Sequence, residues 1–318
     1  MGGDEVLSEV GELSDAGPFE HPALFYRDAG EYTARTVPFL LEGMAAGEPV
    51  AVAVPPPRLA QLRAALGPRG ANVQWIDMEH AGRNPGRIIP DVLRAFADTR
   101  PAGRVRIIGE PVWPGRSVLE YPACAQHEAL INVAFAGRPV TILCPYDATG
   151  LDSAALAEAR ATHPVVLDGD RGRRSAQYAP GRVIAAHNRL PQRPSRALAF
   201  GFAEPRLAEA RHAATAEARR LGLAGDRLAE FSLAVGELTT NSVLHGGGSG
   251  VVRVWAEDGH VVCEVHDRGR LTDLLAGRRP ASRDRPHGRG LLLVHRIADL
   301  VRQRTTADGT TIRAYLRL

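Results

Sequence analysis

A chain of 318 residues with 44% hydrophobic and 24% charged side chains is long enough for two cores and too apolar to be disordered. Its formal net charge of +3 arises from basic and acidic groups mixed throughout, with no basic stripe and no interleaved aromatics, which argues against a nucleic-acid surface. All 39 residues counted as Lys+Arg are arginine, which excludes the lysine-dependent phosphate loop, the protein-kinase strand lysine and Schiff-base chemistry.

The opening MGGDEVLSEVGELSDAGP reads as an acidic, disordered tail over 1–18, without the apolar core of a signal peptide. No run reaches the roughly 18 apolar residues of a membrane span. Three scattered cysteines, Cys124, Cys144 and Cys263, form no C-x-x-C pair and suggest neither a disulfide framework nor a structural zinc site. A reduced, cytoplasmic protein with no membrane or direct nucleic-acid partner is the expectation.

From His21 to His163 short apolar runs alternate with helical patterns. HPALFYRD comes first, then a helix in EYTARTVPFLLEGMAAG and a buried strand in EPVAVAVP. PRLAQLRAALG reads as a helix, NVQWIDM as a strand, RIIPDVLRAFADTR as a helix and RVRIIGEPVW as a strand. A helix around EYPACAQHEALINVAFAG precedes the strand RPVTILCPYD. Alternation of this length predicts a parallel sheet covered on both faces, within a domain over 19–165. Residues 166–196, rich in Gly, Pro and Arg, read as a linker.

The last domain, 197–318, opens with the strand ALAFGF and a helix in PRLAEARHAATAEARRLGL, started by Pro205. DRLAEFSLAVGELTTNSVLHG is a second helix, with Asp226 as its N-cap and Gly246 to Gly248 as its stop. GVVRVWAED and HVVCEVHD form a hairpin through Asp258-Gly259. A polar loop over 268–287 leads to the helix GRGLLLVHRIADL, and a final hairpin turns at Asp308-Gly309.

Within that second helix Glu237, Asn241 and His245 stand four residues apart and share one face. Asp267 ends a strand in DRGR, and GRGL opens a helix at Gly288. Each piece has a physical reading if the ligand is ATP. A strand-end carboxylate accepts a hydrogen bond from the adenine amino group. Glycines at a helix start offer main-chain N–H groups and a positive dipole end to phosphate. An Asn oxygen suits Mg²⁺, and a Glu one turn away can orient or deprotonate a nucleophile.

ELTTNSVLHG resembles the N box of the GHKL ATP-binding superfamily, and DRGR and GRGL resemble its two glycine boxes. Their order and the final GTT hairpin look most like the anti-sigma regulatory factor serine kinases. The resemblance covers about 197–318 and implies a GHKL (Bergerat) two-layer α/β sandwich. It further implies Glu237 as general base, Asn241 as Mg²⁺ ligand and Asp267 as adenine reader. Gly269, Gly288 and Gly290 would shape the nucleotide pocket and lid, with Thr310 beside the adenine. ATP and Mg²⁺ are the implied cofactors. An anti-anti-sigma (STAS) protein phosphorylated on serine or threonine, a sigma factor, or both, are the implied partners, and a homodimer the implied assembly.

The family's second glycine in D-x-G-x-G is Arg270 here, and the following loop holds Arg278, Arg279, Arg283 and Arg285, any of which can meet the γ-phosphate. Arg270 keeps open a second reading, a non-catalytic, ATP-dependent protein-binding switch. A third, an atypical sensor histidine kinase, needs an acceptor histidine; His212 lies inside the ATP domain's own first helix and His187 in the linker. His245 reads as a packing or capping residue.

HPALFYRDAGEYTARTVPFLLEGMAAGEPV, with RIIGEPVWPGRS and ILCPYD, resembles the MEDS sensory domain of methanogen and methylotroph regulators over about 19–165. The resemblance implies a RecA-like or Rossmann-like parallel sheet covered by helices, sensing a small-molecule signal. Its first buried strand runs into Pro55, Pro56 and Pro57, which cannot form a main-chain phosphate cradle. His21, Glu110, Cys144, Tyr146, Asp147 and His163 lie nearest the strand ends, where open sheets bind ligands. A His/Cys/Asp metal site is one reading; the other makes His21 and His163 partners of local main chain and Cys144 a small buried apolar residue. Glu128 and Asn132 repeat the four-residue spacing without glycine boxes and read as structural.

Overall fold

The computed structural model describes residues 18–100, 103–168, 171–281 and 288–318, and the chain divides into two compact units, 1–187 and 188–318. The expected N-terminal tail, 1–18, lies almost wholly outside the described residues.

In the first unit the elements are β1 (Pro22–Tyr26), α1 (Ala29–Ala45), β2 (Val50–Val54), α2 (Pro56–Leu66), β3 (Gln74–Asp77), α3 (Met78–Ala81), α4 (Arg94–Asp98), β4 (Val105–Gly109), α5 (Tyr121–Ala134), β5 (Val140–Asp147), α6 (Ser153–Thr162), β6 (Val165–Asp168), β7 (Arg171–Arg174) and α7 (Pro180–Ala186). The sheet runs β3-β2-β4-β5-β1-β6-β7, parallel throughout except for β7, which pairs antiparallel with β6. Every residue of β2 is buried, and so are all but the last of β5, as a parallel sheet covered on both faces requires. Asp28 caps α1 through the Glu31 N–H at 2.8 Å.

Two expectations need revision. The helix read over RIIPDVLRAFADTR enters through a π-helical turn, Ile88–Leu93, before α4. Pro90 sits inside that turn and has no N–H to give the regular ladder. The stretch 166–196 is structured through Ala186, since β6, β7 and α7 occupy it and β6 pairs with β1. Strands of four residues are too short to show alternation, which is why Gly and Arg content dominated the reading.

The second unit holds β8 (Leu198–Ala203), α8 (Leu207–Arg220), α9 (Gly225–His245), β9 (Ser249–Glu257), β10 (His260–Asp267), α10 (Arg289–Ile297), β11 (Leu300–Thr306) and β12 (Gly309–Arg317). Its antiparallel sheet runs β11-β12-β10-β9-β8. Alternate residues Val252, Val254, Cys263, Val265, Val301 and Ala314 join one core with Phe231, Val235 and Leu238 of α9 and Val294 of α10. Asp258 and Gly259 both have positive φ, 47° and 71°, the signature of a type I′ turn. Asp226 does not cap α9; the helix starts at Gly225, and Asp226 lies in the first turn, where its charge faces the helix dipole.

The opposite pleat carries charge. Arg302, Arg313, Glu264 and Arg253 are cross-strand neighbours in one row. Glu264 is 1% exposed and accepts from Arg313 Nε at 2.7 Å and Arg253 at 3.3 Å, while the Arg313 guanidinium lies over Trp255. Removing the carboxylate strands a buried guanidinium. Glu264→Ala should lower stability by about 3–5 kcal/mol, measured as a shift in the denaturant midpoint; an unchanged midpoint would show that the row is solvated.

Glu110, at the end of β4, is 1% exposed and accepts from the Tyr26 hydroxyl at 3.0 Å. Burial pushes its carboxyl up to about 8, against the pull of Tyr26 and Arg58 and with a further push from Asp147. Between an unfolded value of about 4.3 and about 8 the folded state therefore binds more protons than the unfolded one. Stability should fall as pH rises through that window and level off above it. Melting curves of Glu110→Gln should lose this slope.

Candidate functional site

Phe231, Ala234, Val235, Leu238, Thr239 and Ser242 recur at helical spacing and bury one face of α9. Glu237 and Asn241 flank that face, half-buried, and His245 is exposed at the end. Neither the Glu237 nor the Asn241 side chain makes a hydrogen bond or ion pair among the described residues.

The start of α10 presses against this pair. Gly288, with φ 89°, turns the chain into the helix, as only glycine does without strain. A Cβ on Gly290 would run into a Glu237 carboxylate oxygen and stand 3.5 Å from Asn241 Nδ2. Glu237, Asn241, Gly288 and Gly290 thus form one corner, into which the free N–H groups of a helix start can point.

Next along α9, at Ser242 and Gly246, lies Asp267, half-buried at the end of β10. Ser242 Oγ is 2.6 Å from its Oδ2, and the Gly269 N–H donates to Oδ1 at 2.8 Å. A Cβ on Gly246 would come within 2.6 Å of both carboxylate oxygens, and one on Gly269 within 2.6 Å of Gly246 Cα. Gly309, at φ 130°, has the Asp267 carbonyl in the place of its missing Cβ. Thr310 pairs with Asp267 in register; its hydroxyl donates to the Gly269 carbonyl at 2.8 Å and accepts from the Leu271 N–H at 3.1 Å. Thr310 therefore fastens the chain leaving Asp267.

Of the seven residues singled out in the sequence, Glu237, Asn241 and Gly290 meet at one place on α9, and Asp267, Gly269 and Thr310 meet one another beside Ser242 and Gly246. Ser242 and Gly246 were missed. Ser242 is a buried hydroxyl next to Asn241 in the same motif, and Gly246 was read only as a helix stop. Of the loop arginines, Arg278 is 1% exposed, and burial, followed by Arg302, brings its guanidinium down to about 10. Arg279 pairs with Asp273. Arg283 and Arg285 lie outside the described residues. Arg270 is exposed, and His187 is held by Glu158 at 2.9 Å.

Comparison with known proteins assigns both units. The model of the methanogen/methylotroph, DcmR sensory domain (MEDS) matches residues 20–164, and that of the histidine kinase-like ATPase domain matches residues 202–316. The chain therefore carries a MEDS domain followed by a GHKL-like ATPase domain. The second of these implies ATP as ligand, with Mg²⁺ its usual companion. No curated protein matches the chain. Among solved structures it is similar to the RsbU and RsbW domains of Rv1364c from Mycobacterium tuberculosis, at 21% identity and a TM-score of 0.31, over 40% of this chain and 34% of that one. The similarity thus spans about a third of that chain and carries no argument by itself. Among the described residues no helix is long and apolar enough to cross a membrane.

The residues fit the implied ligands. Asn241 has an uncommitted amide oxygen, Gly290 lets the helix start come against Glu237 with no side chain between, and each Asp267 oxygen keeps a lone pair. Ser242→Ala removes one of two hydrogen bonds on the Asp267 carboxyl and should cost about 1 kcal/mol, while Gly246→Ala, which displaces that carboxyl, should cost more. Thermal melts check the order; equal melting of both variants and the parent would show that Asp267 is not held this way.

Proposed function

We propose that the C-terminal unit binds ATP with Mg²⁺ along α9 and is a serine/threonine kinase acting on an anti-anti-sigma (STAS) partner, under control of a signal received by the MEDS domain. The observation that carries the reading is the closure of the α10 start on Glu237 and Asn241, in line with an anchored Asp267. In this reading Asp267 accepts from the adenine amino group, and selects adenine because a carboxylate only accepts. Ser242 and the Gly269 N–H aim it. Gly288 and Gly290 let main-chain N–H groups approach phosphate without a side chain between. Bound Mg²⁺ supplies charge neutralisation at the phosphates, and Asn241 holds it. Glu237, one turn from Asn241 and free of internal partners, takes the proton of the attacking hydroxyl. Thr310 acts through the Gly269–Leu271 main chain, shaping the adenine end. A sigma factor as second partner, a homodimer and a cytoplasmic location belong to the same proposal.

Arg270, exposed where the family has glycine, supports a second reading: an ATP-dependent switch that binds a partner without phosphorylating it. The two separate on one residue. Calorimetry should show ATP binding that strengthens with Mg²⁺, and Asn241→Ala should weaken it at least about tenfold, or ~1.4 kcal/mol. With labelled ATP and STAS partners, Glu237→Ala should lower phosphoryl transfer by about 10²–10⁴ while keeping nucleotide affinity. Binding without Glu237-dependent transfer leaves the switch; no binding of adenine nucleotide rejects both.

A further inference from the structure

Four side chains of the first unit that the nucleotide chemistry leaves unused converge in its interior. His21 precedes β1, Glu128 lies on α5, Cys144 on β5, and His163 ends α6. Each is at most 1% exposed, and their potential ligand atoms all lie within 4.8 Å of one another. Glu128 Oε2 is 3.1 Å from His163 Nε2 and 3.5 Å from His21 Nε2, and Cys144 Sγ is 3.4 Å from His21 Nε2. Donors bound to one tetrahedral ion at about 2.0–2.3 Å stand about 3.3–3.8 Å apart. Three of the six edges, at 3.1, 3.4 and 3.5 Å, fall at or near that range, and the others lie within 4.8 Å.

The protons point the same way. Asn132 gives its amide N–H to the Thr162 carbonyl at 2.8 Å, which leaves its oxygen, 3.2 Å from His21 Nδ1, to accept from that nitrogen. His163 Nδ1 lies 2.7 Å from the Ala159 carbonyl, an obligate acceptor. Both imidazoles thus carry a proton on Nδ1 and turn a bare Nε2 inward, the arrangement that orients metal-binding histidines. What they meet there is a carboxylate, which only accepts. Neither Glu128 oxygen nor His163 Nε2 has a partner in hydrogen-bond geometry, although the atoms are close enough for one. The one donor among these atoms is the Cys144 thiol, 3.4 Å from His21 Nε2; the lone pairs of Glu128 and His163 crowd together with no donor between them and aim at a common point. Phe19 stacks on His21 and Tyr146 meets His163 edge-on, giving the cluster an aromatic wall.

We propose that His21, Glu128, Cys144 and His163 bind a tetrahedrally coordinated divalent transition-metal ion of the zinc class. Two imidazoles, one thiolate and one carboxylate suit zinc and leave no open position, so the site is closed rather than catalytic. The carboxylate and thiolate offset the charge of a divalent ion, and a neutral centre is buried. Coordination displaces the Cys144 thiol proton to solvent. A small cavity lined by Tyr121, Tyr146, Glu158 and Thr162 also borders Glu128. The ion ties α5 and α6 to β1 and β5, which makes it a candidate input for the sensory unit.

This proposal is independent of the nucleotide reading and is tested on the intact chain. After chelator treatment the protein is titrated with Zn²⁺ and, separately, Co²⁺. One ion per chain is expected, with intense tetrahedral d–d bands for cobalt and a thiolate-to-cobalt charge-transfer band in the near ultraviolet. Zn²⁺ should raise the melting temperature. Cys144→Ser, which preserves shape, should lose the charge-transfer band and at least tenfold in affinity, and His163→Gln should lose the melting shift. No stoichiometric uptake overturns the proposal, as does uptake that both variants leave unaltered, which would mark a surface histidine site.

Discussion

The second unit depends on how closely one helix can be approached by main chain. α9 receives the end of β10 at Gly246 and the start of α10 beside Glu237, and both approaches are too tight for a Cβ. Gly246, Gly269 and Gly309 come from three separate segments yet surround one residue, Asp267, the first two at its carboxylate and the third at its main-chain carbonyl, while Gly290 admits the helix start. The hydrophobic core fixes the distance between α9 and the sheet; the glycines let main chain come close to Glu237 and Asp267 across it. In a chain without lysine, main-chain amides and arginine are the groups available to meet phosphate.

The first unit solves the strand-end problem differently. Its β2 ends in three prolines, which remove main-chain donors where a phosphate cradle would have them, so the strand ends use side chains instead. Glu110 is buried against Tyr26, with Arg58 over the Tyr26 and Tyr32 rings. Asp147 spends its carboxylate on the Thr149 and Gly150 N–H groups and takes no part in the histidine cluster. The polar interior of this unit is therefore divided between a turn, a protonatable carboxyl and a set of converging ligands.

Much of the fold was legible because it rests on periodicity and turn chemistry. The VAVAV run, the Asp258-Gly259 turn and the apolar face of α9 state their conformations locally. What was hidden depends on contacts distant in sequence. β6 and β7 are too short to show a period, and only pairing with β1 makes β6 a strand. Ser242 acquires its role from Asp267, 25 positions away. Glu128 was set aside as structural because its own neighbourhood holds no motif; its companions are 107, 16 and 35 residues off, at His21, Cys144 and His163. The absence of a C-x-x-C pair argued against structural zinc, yet a single cysteine suffices when the remaining donors come from other elements.

Hydrogen-bond valence divides the residues along α9 into two kinds. Thr310 has both its donor and an acceptor position committed to main chain, and Ser242 lies between the Leu238 carbonyl and Asp267. These side chains hold shape and have little left for a ligand. Asp267 is held at both oxygens but retains acceptor capacity, so it is aimed without being consumed. Glu237 and Asn241 are half-buried and have no partner among the described residues. Leaving a carboxylate and an amide in that state sacrifices stability that a pair of apolar side chains on the same helix would recover. A core has no use for such a cost, whereas a groove that must grip one end of an elongated, charged ligand does. The open valences sit at the α10 end and the anchored acceptor at the other, and that polarity sets the direction in which a nucleotide would lie.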